Sequence, residues 1–154
     1  MPRKTREKEK IIRRISFFSL INVVFLVDRI LKIIVSFSYP EGGGFPVIPG
    51  IFHITVVHNT GAAFGILKGQ PLLLMIISAA VVSAFLFILR HHSAAWALVI
   101  GGSLGNLADR LFFGYVIDFL DFRVWPVFNA ADACICVGVA CILWSFFKNA
   151  RHSS

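Results

Sequence analysis

The stretch "VFNAADACICVG" (residues 127–138) opens a run of mostly apolar residues that continues to Phe147. A run of about twenty such residues is long enough to cross the hydrocarbon core of a bilayer as an α-helix. It nevertheless carries Asn129 and Asp132 near its start. An ionisable side chain at membrane depth costs about 2.5 to 3.5 kcal/mol on insertion scales, so it needs a partner or a water-filled cavity. The stretch therefore predicts a transmembrane helix whose first turns contribute polar groups to a site.

The composition of the chain favours a membrane protein with one domain. Of the 154 residues, 57% are hydrophobic and 15% are charged, and the mean hydropathy is +0.80. These values lie outside those of ordinary soluble domains. Seven of the fifteen lysines and arginines fall within residues 3–14, and no aromatic residue alternates with them. Contact of this basic segment with membrane lipids is therefore favoured over contact with nucleic acid.

Four segments have the length and apolar character of membrane-spanning helices: about 15–37, 71–89, 94–113 and 127–147. The prediction is an all-α membrane protein with a single four-helix domain over residues 15–149. The excess of positive charge marks the cytoplasmic side of a membrane protein. This rule places the basic tail 1–14, Arg90 and the tail 150–154 in the cytoplasm, so both termini are expected there.

The two outward connections differ in character. The first, residues 38–70, begins with the turn-rich "YPEGGGFPVIPG" and continues with "IFHITVVHN", a β-branched and aromatic run that predicts a short strand or two. We expect a small extracytoplasmic β-structured cap between spans one and two. The second, residues 114–126, mixes aromatic side chains with charges and is typical of a segment at the membrane interface.

Polar residues gather at the outer level of this topology. Asn106 and Arg110 are four residues apart, and Asn129 and Asp132 are three apart, so each pair shares one helix face. Asp118 follows the outer end of span three. Two carboxyl groups held close together in a partly dry site cannot both ionise cheaply, so one acts as general base and the other as general acid. The sequence thus indicates Asp118 and Asp132 as a catalytic pair.

Each of these acids also has an ordinary structural interpretation. Asp132 is favoured in the first turn of a helix by the helix dipole, and Asn129 is a suitable N-cap. Asp118 taken alone resembles a solvated loop residue. Asp109 is a competing candidate acid, or simply a charge partner of the adjacent Arg110 or a helix-end residue.

Two further interpretations involve other residues. Asp28 and Lys32 are four apart in span one and can form an internal ion pair, but Asp28 can also serve as the proton site of a small four-span transporter. If the protein were a purely structural membrane subunit, no single carboxylate would matter beyond its contribution to stability. No HExxH pattern is present, which disfavours a zinc protease, and three cysteines within span four indicate packing rather than a disulfide or metal site: Cys134, Cys136 and Cys141.

Several short blocks together resemble the lipoprotein signal peptidase family, also called bacterial signal peptidase II. They occur in the family's order and at its spacing over nearly the whole chain: "DRILK" in span one, "NTGAAFG" (59–65), "GGSLGNLADR" (101–110), "VIDF" (116–119) and "FNAAD" (128–132). The family often has Gln at the position of Arg29.

The resemblance implies an aspartic endopeptidase of the bacterial cytoplasmic (inner) membrane, with its active site near the outer leaflet. Such an enzyme removes the signal peptide from prolipoproteins by cutting before a diacylglyceryl-modified cysteine. It requires neither metal nor cofactor, and cyclic peptides of the globomycin type inhibit it.

By the same resemblance, Asp118 of "VIDF" and Asp132 of "FNAAD" match the catalytic pair. The residues expected to bind substrate or orient the site are Asn59, Gly61, Asn106, Arg110, Asn129, Asp28 and Lys32.

Overall fold

The computed structural model describes residues 3–61, 70–87 and 93–152. In chain order, these residues form four helices and three strands: α1 (Arg3–Ser38), β1 (Gly44–Ile48), β2 (Phe52–Asn59), α2 (Pro71–Phe87), α3 (Ala94–Phe113), β3 (Val116–Asp121) and α4 (Ala130–His152). Arg90, residues 88–89 of predicted span two and residues 62–65 of the "NTGAAFG" block lie outside the described residues.

Helix α1 extends well beyond the predicted first span. It begins at Arg3 rather than near residue 15 and runs for 36 residues, so most of the segment expected to be a separate basic tail is helical. No Gly or Pro interrupts this stretch, and such residues are the usual helix breakers. The described part of the tail therefore continues the first helix without a break.

Helix α3 is the central element, because it packs against each of the other three helices. It occupies the residues predicted for span three. The Ser93 side chain accepts a hydrogen bond from the N–H of Trp96 at its start, and Gly114, with φ of 79°, ends it by donating its N–H to the carbonyl of Arg110. A left-handed glycine is a common way to end a helix.

Close approach between helices depends on the small residues of "GGSLG". A Cβ atom added at Gly102 would lie 2.5 Å from the Ala131 carbonyl oxygen, and one added at Gly105 would lie 2.5 Å from Oδ2 of Asp28. Small residues of this kind let helix backbones approach closely in membrane proteins. They bring α1 and α4 against the same end of α3.

Substituting Gly102→Ala is expected to lower the free energy of unfolding by about 1 to 3 kcal/mol, because the new methyl group meets backbone rather than a flexible side chain. Unfolding of the purified protein in mixed detergent micelles measures the change. Ser103→Ala is the control, since it removes an oxygen at the next position and adds no atom. Equal stability of the two variants would contradict the close packing.

The helices expose large apolar side chains, whereas several charged side chains are buried between them. Phe112, Trp144 and Phe147 are 80%, 74% and 68% exposed, whereas Asp28 and Asp109 are 0% exposed. Monomers in water rarely expose such extended apolar surface, and charged groups in membrane helices face the bundle interior. Among the described residues, one helical segment, Ala130–Ala150, is both long enough and apolar enough to cross a bilayer. The count of four crossings remains a prediction.

The three strands form one antiparallel sheet in the order β1-β2-β3. The first two come from the predicted cap, but β3 comes from residues 114–126, which were expected to be an interfacial segment. This strand joins the cap because it pairs with β2, with Val57 opposite Asp118 and Asn59 opposite Val116. The sheet thus contains strands from both the α1–α2 connection and the α3–α4 connection.

Candidate active site

Strand pairing brings the two predicted acids to the same place. Asp118 lies on β3 next to β2, and Phe128 pairs with Leu120 on the other side of β3. The N–H of Leu120 donates to the carbonyl of Phe128 at 2.7 Å, and the N–H of Phe128 donates back to the carbonyl of Leu120 at 3.1 Å. Because α4 begins two residues later, at Ala130, this pairing holds the start of α4 beside Asp118.

The acids face one cavity of about 550 Å³. One part of its wall is apolar and includes Trp125, Ile135 and Cys136. The polar part consists of six of the predicted site residues: Asn59, Gly61, Asn106, Arg110, Asp118 and Asp132. The other three, Asp28, Lys32 and Asn129, are buried behind this wall.

Asp118 is buried and accepts two amide hydrogen bonds. Nδ2 of Asn129 donates to its Oδ1 at 2.6 Å, and Nδ2 of Asn59 donates to its Oδ2 at 2.8 Å. Burial, followed by the negative charge of Asp132, raises the pKa of Asp118 to about 7, although both amide donors oppose the shift. A carboxyl group with this pKa can hold a proton at neutral pH and release it during a reaction.

Asp132 lies in the first turn of α4. Its Oδ1 accepts a hydrogen bond from Nδ2 of Asn106 at 2.7 Å. The N–H of Asn129 donates to Oδ2 of Asp132 at 3.2 Å, and the N–H of Asp132 donates to Oδ1 of Asn129 at 2.9 Å. This reciprocal pair is a helix N-terminal capping arrangement. The ordinary structural interpretation of both residues is therefore correct, and the same side chains also face the cavity.

The orientation of each site amide is fixed by a group that can only donate. The N–H of Gly61 donates to Oδ1 of Asn59 at 2.9 Å, and the ammonium group of Lys32 donates to Oδ1 of Asn106 at 3.0 Å. The oxygen of each amide must face its donor, so its NH₂ group must face the cavity acid. Asn129 follows the same rule, because its Oδ1 accepts the N–H of Asp132.

A buried cluster of four charges lies behind the acids. Nζ of Lys32 is 2.9 Å from Oδ2 of Asp28 and 2.8 Å from Oδ2 of Asp109. Arg29 pairs with Asp109 and lies 3.5 Å from Oδ2 of Asp28. Two acids and two bases balance in number, as buried charges require. The predicted pairing of Asp28 with Lys32 is present, and these contacts favour a structural role for Asp28 over that of a free proton site.

The alternative in which Asp109 serves as the charge partner of Arg110 is wrong. Asp109 is fully buried and bonds to Arg29, to Lys32 and to the N–H of Ile117 at 3.1 Å. Although Asp109 and Arg110 are adjacent in the chain, successive side chains on a helix point in directions about 100° apart. Asp109 therefore lies in the charge cluster, whereas Arg110 lines the cavity.

Arg110 instead holds neighbouring elements at the edge of the cavity. Its Nη2 donates to the Gly61 carbonyl at 3.3 Å, and its Nη1 donates to Oγ of Ser78 at 3.4 Å. It thus connects α3 with the end of β2 and with α2. From the sequence, Arg110 was expected to bind substrate or orient the site, but its contact with Ser78 was not foreseen.

Sequence reasoning missed the place of Asp109 and Arg29 in the cluster. One signal was available: Asp109 follows Asn106 by three residues and so shares its helix face. No local pattern could pair Arg29 with Asp109, because they are 80 residues apart in the chain. Within the described ranges, no group of three or more His, Cys, Asp or Glu residues is arranged to hold a metal ion.

Comparison with solved structures identifies the class of protein. One bacterial membrane enzyme, determined by the in meso method at 2.3 Å resolution, superposes with a TM-score of 0.84 and is 29% identical, covering 90% of this chain and 92% of its own. A second, at 1.9 Å resolution, gives a TM-score of 0.78 and 30% identity over 86% of this chain and 93% of its own. The fold is that of a membrane enzyme.

The family follows from sequence comparison. The family model described as Signal peptidase (SPase) II matches residues 20–148. The lipoprotein signal peptidase of Halothermothrix orenii is 41% identical over 82% of this chain and 91% of its own length. The lipoprotein signal peptidase of Desulfitobacterium hafniense is 43% identical, over 80% of this chain and 87% of its own length. The chain belongs to the signal peptidase II family, and is thus a membrane protease of the lipoprotein-processing type.

Proposed function

We propose that the protein is an aspartic endopeptidase that removes the signal peptide from prolipoproteins, cleaving before a diacylglyceryl-modified cysteine. The observation that carries this proposal is the pair of carboxyl groups, Asp118 and Asp132, lining one cavity. Each is oriented by amides whose other ends are fixed. The family membership supports the substrate class.

The reaction needs one water molecule between the two acids. The ionised carboxylate removes a proton from the water as the water oxygen attacks the scissile carbonyl carbon. The protonated carboxyl group donates its proton to the carbonyl oxygen. The carbon–nitrogen bond then breaks as a proton passes to the leaving amino group of the cysteine. Positioning supplies much of the rate, and the fixed amides Asn59, Asn106 and Asn129 provide it.

The surroundings of the cavity suit a substrate held in the membrane. The apolar wall with Trp125, Ile135 and Cys136 accommodates the acyl chains and the apolar signal helix. We place the cavity near the outer leaflet, with four crossings and both termini in the cytoplasm. The sheet then lies on the outer side, where it covers the cleavage site. Membrane lipids surround the apolar helix faces, and a globomycin-type cyclic peptide occupies the cavity in place of substrate.

The direct test uses the purified protein in detergent and a synthetic peptide carrying the signal sequence and a diacylglyceryl-cysteine. Mass spectrometry is expected to find one cut, immediately before the modified cysteine, with a globomycin-type peptide blocking it. The matched peptide with unmodified cysteine should be cut at least about tenfold more slowly, since its acyl contacts are missing. Equal cutting of both peptides, or no cutting of the lipidated one, would refute the proposed specificity.

The pH dependence of cleavage offers a second test. Because the pKa of Asp118 is raised to about 7, its protonated fraction falls as the pH rises through 7, and the rate should fall with it. Asn59 stabilises the carboxylate form of Asp118 by donating to Oδ2, so Asn59→Ala is expected to raise this pKa. The alkaline limb of the rate–pH profile, where the rate falls as the pH rises, should then move to higher pH. Rate–pH profiles of the two proteins measure the shift.

Asn22→Ala is the control for this variant, because the Asn22 amide donates to the Phe18 carbonyl on the exposed part of α1. Its profile should match that of the unmodified protein. An alkaline limb that moves to lower pH in Asn59→Ala would show that Asp118 is not the group whose proton the reaction needs.

A further inference from the structure

Arg29 occupies a junction between the charge cluster and the catalytic strand. It follows Asp28 on α1, and its Nη2 atom pairs with Asp109 on α3. The side chain is 17% exposed, so the guanidinium group is largely surrounded by protein. A paired guanidinium group in such surroundings interacts strongly, because the local dielectric is low.

The partner of Arg29 is bonded directly to the strand that carries Asp118. Oδ1 of Asp109 contacts Arg29, and its Oδ2 accepts the N–H of Ile117 at 3.1 Å. Ile117 immediately precedes Asp118 on β3. A rotation of the Asp109 carboxyl group would therefore shift the backbone that sets the position of the catalytic carboxyl.

A second connection reaches the other acid through two hydrogen bonds. Lys32 donates to Oδ1 of Asn106 at 3.0 Å, and Nδ2 of Asn106 donates to Asp132 at 2.7 Å. Asp28 adds a contact by accepting the N–H of Ala131 at 3.1 Å. One short segment of α1 thus reaches both acids: Lys32 contacts Asn106 and Oδ2 of Asp109, and Arg29 contacts Oδ1 of Asp109.

We propose that Arg29 is a positioning residue for the reaction: it holds Asp109 so that β3 presents Asp118, and its charge balances the cluster behind the two acids. This inference rests on the proposed function. It gives a role to a residue for which the family resemblance supplies none, since the family often has Gln there.

The charge count predicts the sign of the effect. Asp28 and Asp109 carry two negative charges, while Arg29 and Lys32 carry two positive ones. Loss of Arg29 leaves the cluster with one net negative charge. The other charged groups around Asp118 are Asp132 on α4 and Arg110 on α3, and neither changes. A new negative balance disfavours ionisation of a nearby carboxyl, so the pKa of Asp118 should rise.

The test compares Arg29→Gln with Arg29→Lys. Arg29→Gln is expected to lower kcat about tenfold, with KM within about twofold, because positioning rather than substrate binding is lost. Its alkaline limb should move up by about 0.5 to 1 pH unit. Arg29→Lys keeps the charge and should restore the position of the limb. Arg14→Gln, an exposed change on the same helix, should match the unmodified protein in every measurement.

A measurement that needs no cleavage separates this inference from the proposed function. The Asp118 carboxyl can be titrated by infrared spectroscopy with ¹³C-labelled aspartate, using Asp118→Asn to assign the band. The midpoint should rise in Arg29→Gln and return in Arg29→Lys. If Arg29→Gln lowered the unfolding temperature but left the Asp118 titration midpoint unchanged, the proposed role of Arg29 would be overturned. Absence of cleavage by the unmodified protein would instead overturn the proposed function, and the titration would still decide for or against Arg29.

Discussion

Asp118→Asn and Asp132→Asn are each expected to reduce cleavage of the lipidated peptide by about 10³-fold or more. General acid–base groups contribute about 10² to 10⁴-fold each, and two groups acting on one water fail together when either is lost. An asparagine can still accept and donate hydrogen bonds at the same place, but it can neither take a proton from water nor give one to the carbonyl oxygen. Initial rates with purified protein measure the loss.

Asp121→Asn is the matched control for both variants. Asp121 lies on the same strand as Asp118 and is 5% exposed, but it bonds to Thr55 and Arg123 and lies outside the cavity wall. Its variant should retain cleavage within about threefold, since it touches no reacting atom. Cleavage by Asp118→Asn at the rate of Asp121→Asn would exclude Asp118 as a catalytic acid.

Lys32→Met is expected to lower the free energy of unfolding by about 3 to 5 kcal/mol, the range for removing one partner of a buried ion pair. Lys32 is 1% exposed and contacts Asp28 and Asp109 at 2.9 and 2.8 Å. Without it, Arg29 is left to offset two buried carboxylates, and Oδ1 of Asn106 loses its ammonium donor. Unfolding of the purified protein in mixed micelles at neutral pH gives the value.

Lys10→Met provides the comparison, because Lys10 lies on the same helix and is exposed. Its change in unfolding free energy should stay within about 0.5 kcal/mol. If Lys32→Met proved as stable as Lys10→Met, the four charges could not form the buried cluster described above.

The helical part of the fold could be predicted because each apolar run signals a helix by its own length. Span three is the clearest case: Ser93 and Gly114 bound an apolar segment, and both residue types favour helix ends. Several site residues could also be selected, since i, i+3 and i, i+4 spacing places Asn129 with Asp132 and Asn106 with Arg110 on shared faces. Asp118 was selected by its position after span three. Family resemblance then matched the same residues to functional roles.

The remaining features depend on contacts between distant parts of the chain. Strand β3 is buried on both faces, so "VIDFLD" lacks the alternation of polar and apolar residues that marks a half-buried strand. Its pairing with β2 joins residues about 60 positions apart. The link from Arg29 to Asp109 is likewise invisible in local spacing. These features are decided by tertiary packing, which the periodicity of the sequence does not reveal.

The central claim is that Asp118 and Asp132 act as one unit on a single water molecule. The measurement that tests it most directly is the cleavage rate of the double variant Asp118→Asn/Asp132→Asn beside the two single variants. Residues that act together show strongly non-additive losses, so the double variant should be no slower than either single variant by more than about twofold. Losses that multiply, with the double variant slower by the product of the two single effects, would contradict the claim.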